Sequence, residues 1–214
     1  MTLHEHVSIP CGPITLEGLL ELPKAQEKLP RAALVLHPHP LYGGNLFNNV
    51  TSSVAAGLLS HGIATLRLNF RGVGASGGSH GEGIDEIDDV LAAIAFLDSF
   101  EQVNSSNIIL AGYSFGCWVG LKAVVSENRQ MELIGISPPV DMYDFSFLLK
   151  ENRPKLLLAG DNDFVCSTKN FLDLTSKIPE PKHVVLLKGA DHFHSGQENQ
   201  IVSEIMQFLT FKTR

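Results

Sequence analysis

Residues 104–125 read NSSNIILAGYSFGCWVGLKAVV, and they carry the clearest indication of the architecture. The apolar run at 108–113 predicts a buried strand, and the apolar stripe within 117–125 predicts a helix. Between them, Gly112-Tyr113-Ser114-Phe115-Gly116 places a serine on a tight strand-to-helix turn, where the glycines relieve crowding. On such a turn the serine hydroxyl faces solvent, and the N–H of Phe115 points to the same place, where it can stabilise an oxyanion.

A serine hydroxyl attacks at neutral pH only when a base accepts its proton and another group orients that base. Asp163 follows a predicted strand at 156–160, and His192 follows another at 184–187. The carboxyl ends of parallel strands lie at one edge of a sheet, so these loops are expected to meet Ser114 there. Asp161 comes directly after the strand, where we expect it to form an Asx turn with its own backbone.

Short apolar runs alternate with helical stripes along the rest of the chain. Most of the runs lack polar alternation, which is typical of strands covered on both faces. A hairpin is predicted at the amino end, across the turn at 10–13, and a capping pattern at 195–198 opens the last helix. We therefore predict an α/β fold with a mostly parallel sheet and a single domain over residues 1–214.

Several further motifs accompany the serine turn, and together they resemble the α/β-hydrolase superfamily. Within it, the chain looks like the small bacterial serine hydrolases related to dienelactone hydrolase. The matching stretches are HPHPLYGG at 37–44, NFRGVGASGG at 69–78, the Ser114 turn, SPPV at 137–140, and the Asp163 and His192 loops. The resemblance implies a sheet of about 7–8 strands with helices on both faces. The short 138–153 segment leaves no room for a large cap domain.

The same resemblance implies hydrolysis of an acyl bond by Ser114, His192 and Asp163, without a cofactor or metal. The superfamily's usual Gly-x-x-Asp spacing, counted from Gly160, selects Asp163 over Asp161 as the acid. Ser114 would be the nucleophile, His192 the base, and Asp163 the group that orients the imidazole. Prolines at 38 and 40 have no N–H to donate, so the second oxyanion donor beside Phe115 is His39 or Leu41, and we favour His39.

The function predicted on this basis is a metal-independent serine hydrolase of carboxylesterase (EC 3.1.1) type that acts on a small-molecule acyl substrate. Thioesterase, peptidase or lactonase chemistry on the same residues is an alternative. A hydrolase-fold scaffold without catalysis is another. We expect a shallow site for a small or medium acyl group, with an aromatic lining of Tyr42, Phe115, Phe145, Phe147 and Phe193.

Rival interpretations concern the glycine-rich, histidine-rich and acidic stretches. Residues 72–77 match the dinucleotide pattern G-x-G-x-x-G, but another Gly/Ser stretch follows before any helix. The clusters at 37–39 and 191–194 allow a metal hypothesis. The competing interpretation is that His192 is a base and the other histidines are solvated at loop ends, with the ring of His194 facing elsewhere. Asp141 and Asp144 follow the predicted strand that ends at Ser137, another position from which a hydrolase acid could act, but we interpret them as groups that cap or solvate the 144–148 segment.

Composition excludes other classes. The formal net charge of −7 and the absence of a Lys/Arg cluster argue against nucleic-acid binding. The amino-terminal residues lack a signal-peptide pattern, and no apolar run is long enough for a membrane span. Three widely spaced cysteines indicate reduced thiols. We expect a cytoplasmic protein that is a monomer or small homo-oligomer.

Overall fold

The computed structural model describes residues 3–24 and 27–211 of the chain. The first two residues of the amino-terminal stretch assessed for a signal peptide lie outside that range. The strands are β1 Leu3–Cys11, β2 Ile14–Leu22, β3 Arg31–Leu36, β4 Ala64–Leu68, β5 Asn104–Tyr113, β6 Met131–Ile136, β7 Lys155–Gly160 and β8 Lys182–Leu187. The α-helices are α1 Asn49–Ser60, α2 Glu86–Ser99, α3 Phe115–Val124, α4 Thr168–Lys177 and α5 Glu198–Phe211.

The strands form one eight-stranded sheet in the order β1-β2-β4-β3-β5-β6-β7-β8. The hairpin β1–β2 is antiparallel, and β2 is antiparallel to β4, whereas the other pairs are parallel. The register pairs Leu36 with Gly112 and Tyr113 with Ile136. The loops that leave β3, β5 and β6 therefore start side by side at one edge.

Helices cover both faces of the sheet. Side chains of α1 and α5 build one buried core, and side chains of α2, α3 and α4 contribute to the other. All six residues of β6 and of β7 are buried, which explains why these strands show no polar alternation. The predicted mostly parallel sheet of about 7–8 strands with helices on both faces is confirmed.

The glycine-rich segment after β4 does not open a helix. Gly72 N donates to Gly77 O, and Gly77 N donates to the carbonyl of Thr15 in β2, so the segment is a closed loop tied to the hairpin. α2 begins only at Glu86, and Ile84 before it is exposed. The dinucleotide interpretation has no helix amino terminus at the position it requires.

The connection between β6 and β7 contains only a short 3₁₀ helix, Ser146–Lys150. No cap domain is inserted there, as the length of the segment predicted. Among residues 3–24 and 27–211, no helix has the length and apolar character needed to cross a bilayer.

The contact between α3 and the end of β3 gives a first prediction, on stability. A Cβ added at Gly116 would lie 2.5 Å from the His37 carbonyl oxygen and 2.8 Å from that of Leu36. Backbone atoms cannot move aside without displacing the loop after β3. We expect Gly116→Ala to lower the free energy of unfolding by about 1–3 kcal/mol, the usual cost of overpacking, measured by urea denaturation.

Gly120→Ala in the same helix is the matched control. Its Cβ would meet the Cδ1 atom of Leu36 at 2.5 Å, and that atom is the end of a side chain that can rotate. The loss of stability should therefore be smaller than for Gly116→Ala. Equal free energies of unfolding for the two variants would contradict the claim that close backbone contact fixes α3 against the loop after β3.

Candidate active site

Ser114 lies on the turn between β5 and α3 in a conformation that side-chain-bearing residues rarely adopt. Its φ is +53° and its ψ −116°, and the residue is buried. Gly112 and Gly116 permit this turn, because a Cβ at Gly112 would collide with the backbone of Gly116 and Cys117. The turn thus places the serine side chain at the carboxyl end of β5, between the strand and α3.

The structure brings together the side chains that the sequence selected from three loops. Ser114 Oγ lies 2.9 Å from His192 Nε2. His192 Nδ1 lies 2.9 Å from each carboxylate oxygen of Asp163. The phenol of Tyr113 donates to the carbonyl oxygen of His192 at 2.6 Å, which fixes the histidine loop against β5.

Backbone donors hold the Asp163 carboxylate in place. The N–H groups of Val165 and Cys166 both donate to its Oδ1 at 2.8 Å. Burial alone would raise the pKa of this carboxyl, but hydrogen bonds from His192, the Ser137 hydroxyl and the Val165 N–H outweigh burial and lower it. Asp163 is therefore a carboxylate, and its bond to Nδ1 leaves Nε2 of His192 free to accept a proton.

The expectation for Asp161 is wrong in its detail. Its carboxylate accepts from the N–H of Gly189 at 2.6 Å and so joins the two loops that carry Asp163 and His192. The Asx turn belongs to Asp163 itself, whose Oδ1 accepts from the N–H two residues further on.

The loop after β3 brings His39 beside the serine turn. Leu41 N donates to His39 Nδ1 at 3.2 Å, so the Leu41 N–H is already engaged. Within the described part of the chain, the N–H of His39 has no acceptor. The N–H of Phe115 is the first of α3 and has no partner inside the helix. Of the two candidates that the sequence left open, His39 is the one with a free donor.

The buried side chain of His37 holds the loop after β3 in place through two hydrogen bonds. Its Nδ1 lies 2.6 Å from the Pro38 carbonyl oxygen, and its Nε2 accepts from the N–H of Phe70 at 3.1 Å. Burial lowers the pKa of the His37 imidazole to about 4. The neutral ring therefore links the loop after β3 to the end of β4.

The imidazole of His80, which the sequence analysis did not identify, packs beside His39. The ring centroids of His39 and His80 are 5.0 Å apart, and both rings contact Phe115. His80 Nδ1 lies 2.8 Å from the fully buried carboxylate of Glu86, which also accepts from the N–H groups of Gly81 and Gly83. The only sequence signal is an acidic residue at the start of a helix, which is common.

The aromatic lining differs from the one predicted. Tyr42 and Phe193 are exposed near the site, as expected, and Phe115 lies buried beneath the two histidines. Phe145 is wrong as a lining residue, since it is buried in the core, and Phe147 packs against it. Their place is taken by Phe164, which is 68% exposed and whose ring centroid lies 5.9 Å from that of His192.

His194 differs from the sequence interpretation in its burial, because a solvated position at a loop end was expected. Its ring contacts Ser137 and not Ser114, as expected of a ring that faces elsewhere. The residue is fully buried, and its Nε2 lies 2.7 Å from Ser137 Oγ. The second nitrogen, Nδ1, is buried without a hydrogen-bond partner. The ring centroid of Tyr113 lies 6.2 Å away, so His194 sits beneath the site rather than beside it.

The remaining acidic candidates serve local structure. Asp144 accepts from the backbone N–H and the hydroxyl of Ser146, as expected of a capping group. Asp141 instead accepts from the N–H and hydroxyl of Ser167, the residue before α4, and from Asn170. Neither carboxylate contacts His192.

The cysteines and the metal hypothesis add no further site. All three cysteines are buried and unpaired, and burial raises the pKa of the Cys117 and Cys166 thiols. No group of three His, Cys, Asp or Glu side chains is arranged for a metal ion within residues 3–24 and 27–211. The histidines at 37, 192 and 194 each direct Nε2 to a different hydrogen-bond partner.

Comparison with known proteins agrees with this geometry. The family model described as alpha/beta hydrolase family matches residues 34–173. An uncharacterized protein of Rickettsia prowazekii is 37% identical over 203 residues, which cover 90% of this chain and 85% of that protein. The chain belongs to the α/β hydrolase family.

Solved structures of other members superpose closely on this α/β hydrolase. An alpha-beta serine hydrolase homologue from Coxiella burnetii is 31% identical with a TM-score of 0.86, over 95% of this chain and 96% of that one. A lidless serine hydrolase from Xanthomonas campestris is 28% identical with a TM-score of 0.86, over 97% and 94% of the two chains.

The buried His37 gives a prediction on pH dependence. The unfolded chain binds a proton at this imidazole below pH 6.5, whereas the folded protein binds one only near pH 4. The contribution of His37 to the free energy of unfolding is therefore fully present above pH 6.5. It falls by about 3 kcal/mol as the pH drops to 4. Urea denaturation at several pH values should show a shallower decline for His37→Asn. Parallel curves for variant and wild type would contradict this role.

Proposed function

We propose that this protein is a metal-independent serine hydrolase that cleaves a carboxylic ester through an acyl-enzyme intermediate. The observation that carries the proposal is the unbroken chain of contacts from Ser114 Oγ through His192 to the Asp163 carboxylate, each of 2.9 Å. Such a chain lets a neutral hydroxyl lose its proton as it attacks.

In acylation, Ser114 Oγ attacks the ester carbonyl carbon while His192 Nε2 takes the hydroxyl proton. The imidazolium that forms is stabilised by the lowered-pKa carboxylate of Asp163. The carbonyl oxygen becomes an oxyanion, which accepts hydrogen bonds from the free N–H groups of Phe115 and His39. Collapse of this intermediate expels the alcohol, which leaves with the proton held by His192.

In deacylation, water takes the place of the alcohol and the same residues act in reverse order. His192 accepts a proton from water, the resulting hydroxide attacks the acyl carbon, and Ser114 leaves with its proton restored. Each step is completed by side chains and N–H groups of this chain, so the scheme requires neither cofactor nor Lewis acid.

The substrate proposed is a small or medium ester with an apolar alcohol part. His192 must reach the leaving oxygen, so the alcohol lies over that ring, where the exposed rings of Phe164 and Phe193 stand 5.9 and 6.2 Å away. With no cap domain above them, these rings offer an open apolar surface. The two similar proteins described as serine hydrolases support the reaction class.

The nucleophile is tested with a fluorophosphonate probe. We expect the probe to label the wild type and not Ser114→Ala, because it reacts only with an activated serine. The same variant should no longer hydrolyse p-nitrophenyl acetate. The wild type should keep its activity on this ester in the presence of EDTA. Equal labelling of both proteins would refute the proposal. Loss of wild-type activity in EDTA and its recovery on addition of zinc would show that the reaction depends on a metal ion instead.

The choice of carboxylate is tested with a matched pair of variants. Asp163→Asn should lower kcat by about 10³–10⁴-fold, because an amide supports the wrong tautomer of the imidazole. Asp161→Asn should stay close to wild type, since its amide oxygen can still accept from the N–H of Gly189. The reverse ranking of the two kcat values would show that the assignment of the acid is wrong.

A further inference from the structure

Two imidazole rings lie against the side chain of Phe115, the residue after the proposed nucleophile. The ring centroids of His39 and His80, which we call the histidine pair, lie 4.8 and 5.5 Å from that of Phe115 and 5.0 Å from each other. Within the part of the chain that the structure describes, neither ring contacts His192, whereas two exposed phenylalanine rings do. The polar rings and the apolar rings thus form separate groups around the site.

The backbone of the loop after β3 determines which nitrogen of His39 carries the proton. Its Nδ1 accepts from the N–H of Leu41 at 3.2 Å, so the proton of the neutral ring is on Nε2. Burial and the neighbouring His80 lower the pKa of this imidazole and outweigh the opposing effect of Glu86, which keeps the ring neutral at pH 7. Among residues 3–24 and 27–211 the Nε2–H has no acceptor, and it is a free donor.

A carboxylate determines the position of the proton in His80. Its Nδ1 is buried and lies 2.8 Å from Oε1 of Glu86, at an angle too bent for a regular hydrogen bond. A lone pair on Nδ1 would be repelled by the carboxylate at this distance, whereas an N–H is attracted, so the proton is on Nδ1. In the neutral ring Nε2 is then an acceptor. Unlike Nδ1, this nitrogen is reached by solvent, and no described residue donates to it.

The loop before α2 holds His80 in this orientation. The N–H groups of Gly81 and Gly83 donate to the two oxygens of the Glu86 carboxylate at 2.8 Å each, and Glu86 is fully buried. A Cβ added at Gly83 would lie 2.1 Å from the ring of Trp118, so the loop packs directly on α3. The carboxylate that faces His80 is therefore fixed by backbone donors and by the helix that carries the serine turn.

We propose that the histidine pair binds a hydroxyl group on the acyl chain, so that the substrate is an ester of a hydroxy acid. The hydroxyl oxygen accepts from the Nε2–H of His39, and the hydroxyl proton is donated to Nε2 of His80. A hydroxyl donates and accepts through one oxygen, and it therefore matches one free donor and one free acceptor on neighbouring rings. The inference rests on the proposed function, because it places the acyl chain on the side of Ser114 away from His192, over which the alcohol lies.

The two tautomers are measured by ¹⁵N NMR of the histidine rings in the wild-type protein at pH 8. We expect the proton of His39 on Nε2 and that of His80 on Nδ1. A proton on Nε2 of His80 would leave no acceptor for the hydroxyl and would overturn the proposal, as would a proton on Nδ1 of His39. This measurement needs no substrate, so its result is independent of the proposed function.

Substrate preference is tested with ethyl butyrate, its 2-hydroxy and 3-hydroxy derivatives, and the methyl ethers of these two. We expect kcat/KM, measured by pH-stat titration at pH 8, to be about 10-fold higher for at least one hydroxy ester than for ethyl butyrate, the worth of a hydrogen bond. The corresponding methyl ether should lose this advantage, because its oxygen cannot donate to His80. Similar values for all five esters would overturn the inference.

A matched pair of variants at His80 tests whether the preference depends on Nε2. His80→Asn keeps an amide near the position of Nδ1, beside Glu86, but has no atom at the position of Nε2, so it should lose the preference for the hydroxy ester. His80→Gln places an amide oxygen near the position of Nε2 and should retain most of it. The readout is the ratio of two kcat/KM values within one variant, since any loss of folded enzyme cancels. A wild-type ratio in His80→Asn, or an equal loss in both variants, would overturn the proposal.

His183→Asn is the matched control for the histidine substitution. His183 is exposed at the amino end of β8, opposite the site, and its variant should keep the wild-type ratio. A wild type that hydrolyses none of the esters and escapes the fluorophosphonate probe would refute the proposed function itself. A wild type that is labelled and hydrolyses ethyl butyrate as fast as both hydroxy esters would refute only the inference about the acyl chain.

Discussion

The close approach of backbone at the serine turn is the constraint on which the rest of the site depends. Ser114 adopts its strained conformation only because Gly112 and Gly116 lack side chains where the turn meets its own helix and the loop after β3. The same contact sets the first N–H of α3 beside the loop that carries His39. The proposed nucleophile and the proposed oxyanion donors are thus placed by one packing requirement.

The parallel sheet places Asp163 and His192 close to Ser114. Adjacent strands end in register, with Gly160 paired to Leu187, so the loops of Asp163 and His192 begin next to each other. Asp161 then joins these loops through Gly189. The geometry of the proposed triad therefore rests on strand ends that the hydrophobic cores hold in place, with short loops between the strands and the proposed reacting groups.

Much of this could be predicted from the sequence, because the decisive signals are local. Continuous apolar runs mark strands that are covered on both faces, and glycines mark the turns that follow them. The order of Ser114, Asp163 and His192 along the chain, together with a parallel sheet, was enough to bring them to one edge. Excluding the prolines as donors left His39 and Leu41 as candidates for the proposed oxyanion donor, and only the structure shows that the Leu41 N–H is engaged by His39 Nδ1.

The direction of side chains in irregular loops could not be predicted. A positive φ at a residue other than glycine turns its side chain to a side that spacing does not reveal, and His194 is buried below the site for this reason instead of being solvated. Likewise, nothing local distinguishes buried Phe145 from exposed Phe164. The contact of Glu86 with His80 depends on a tight loop, Gly81–Gly83, that no periodic pattern describes.

The central claim is that Ser114 forms a covalent bond to the acyl group of an ester. Mass spectrometry of the intact protein, quenched with acid within milliseconds of mixing with p-nitrophenyl butyrate, tests it directly. The account predicts a mass increase of one butyryl group, located by peptide mapping on Ser114, and release of p-nitrophenol in a burst equal to the enzyme concentration. Turnover without any adduct, or an adduct on another residue such as Cys166, would contradict the account.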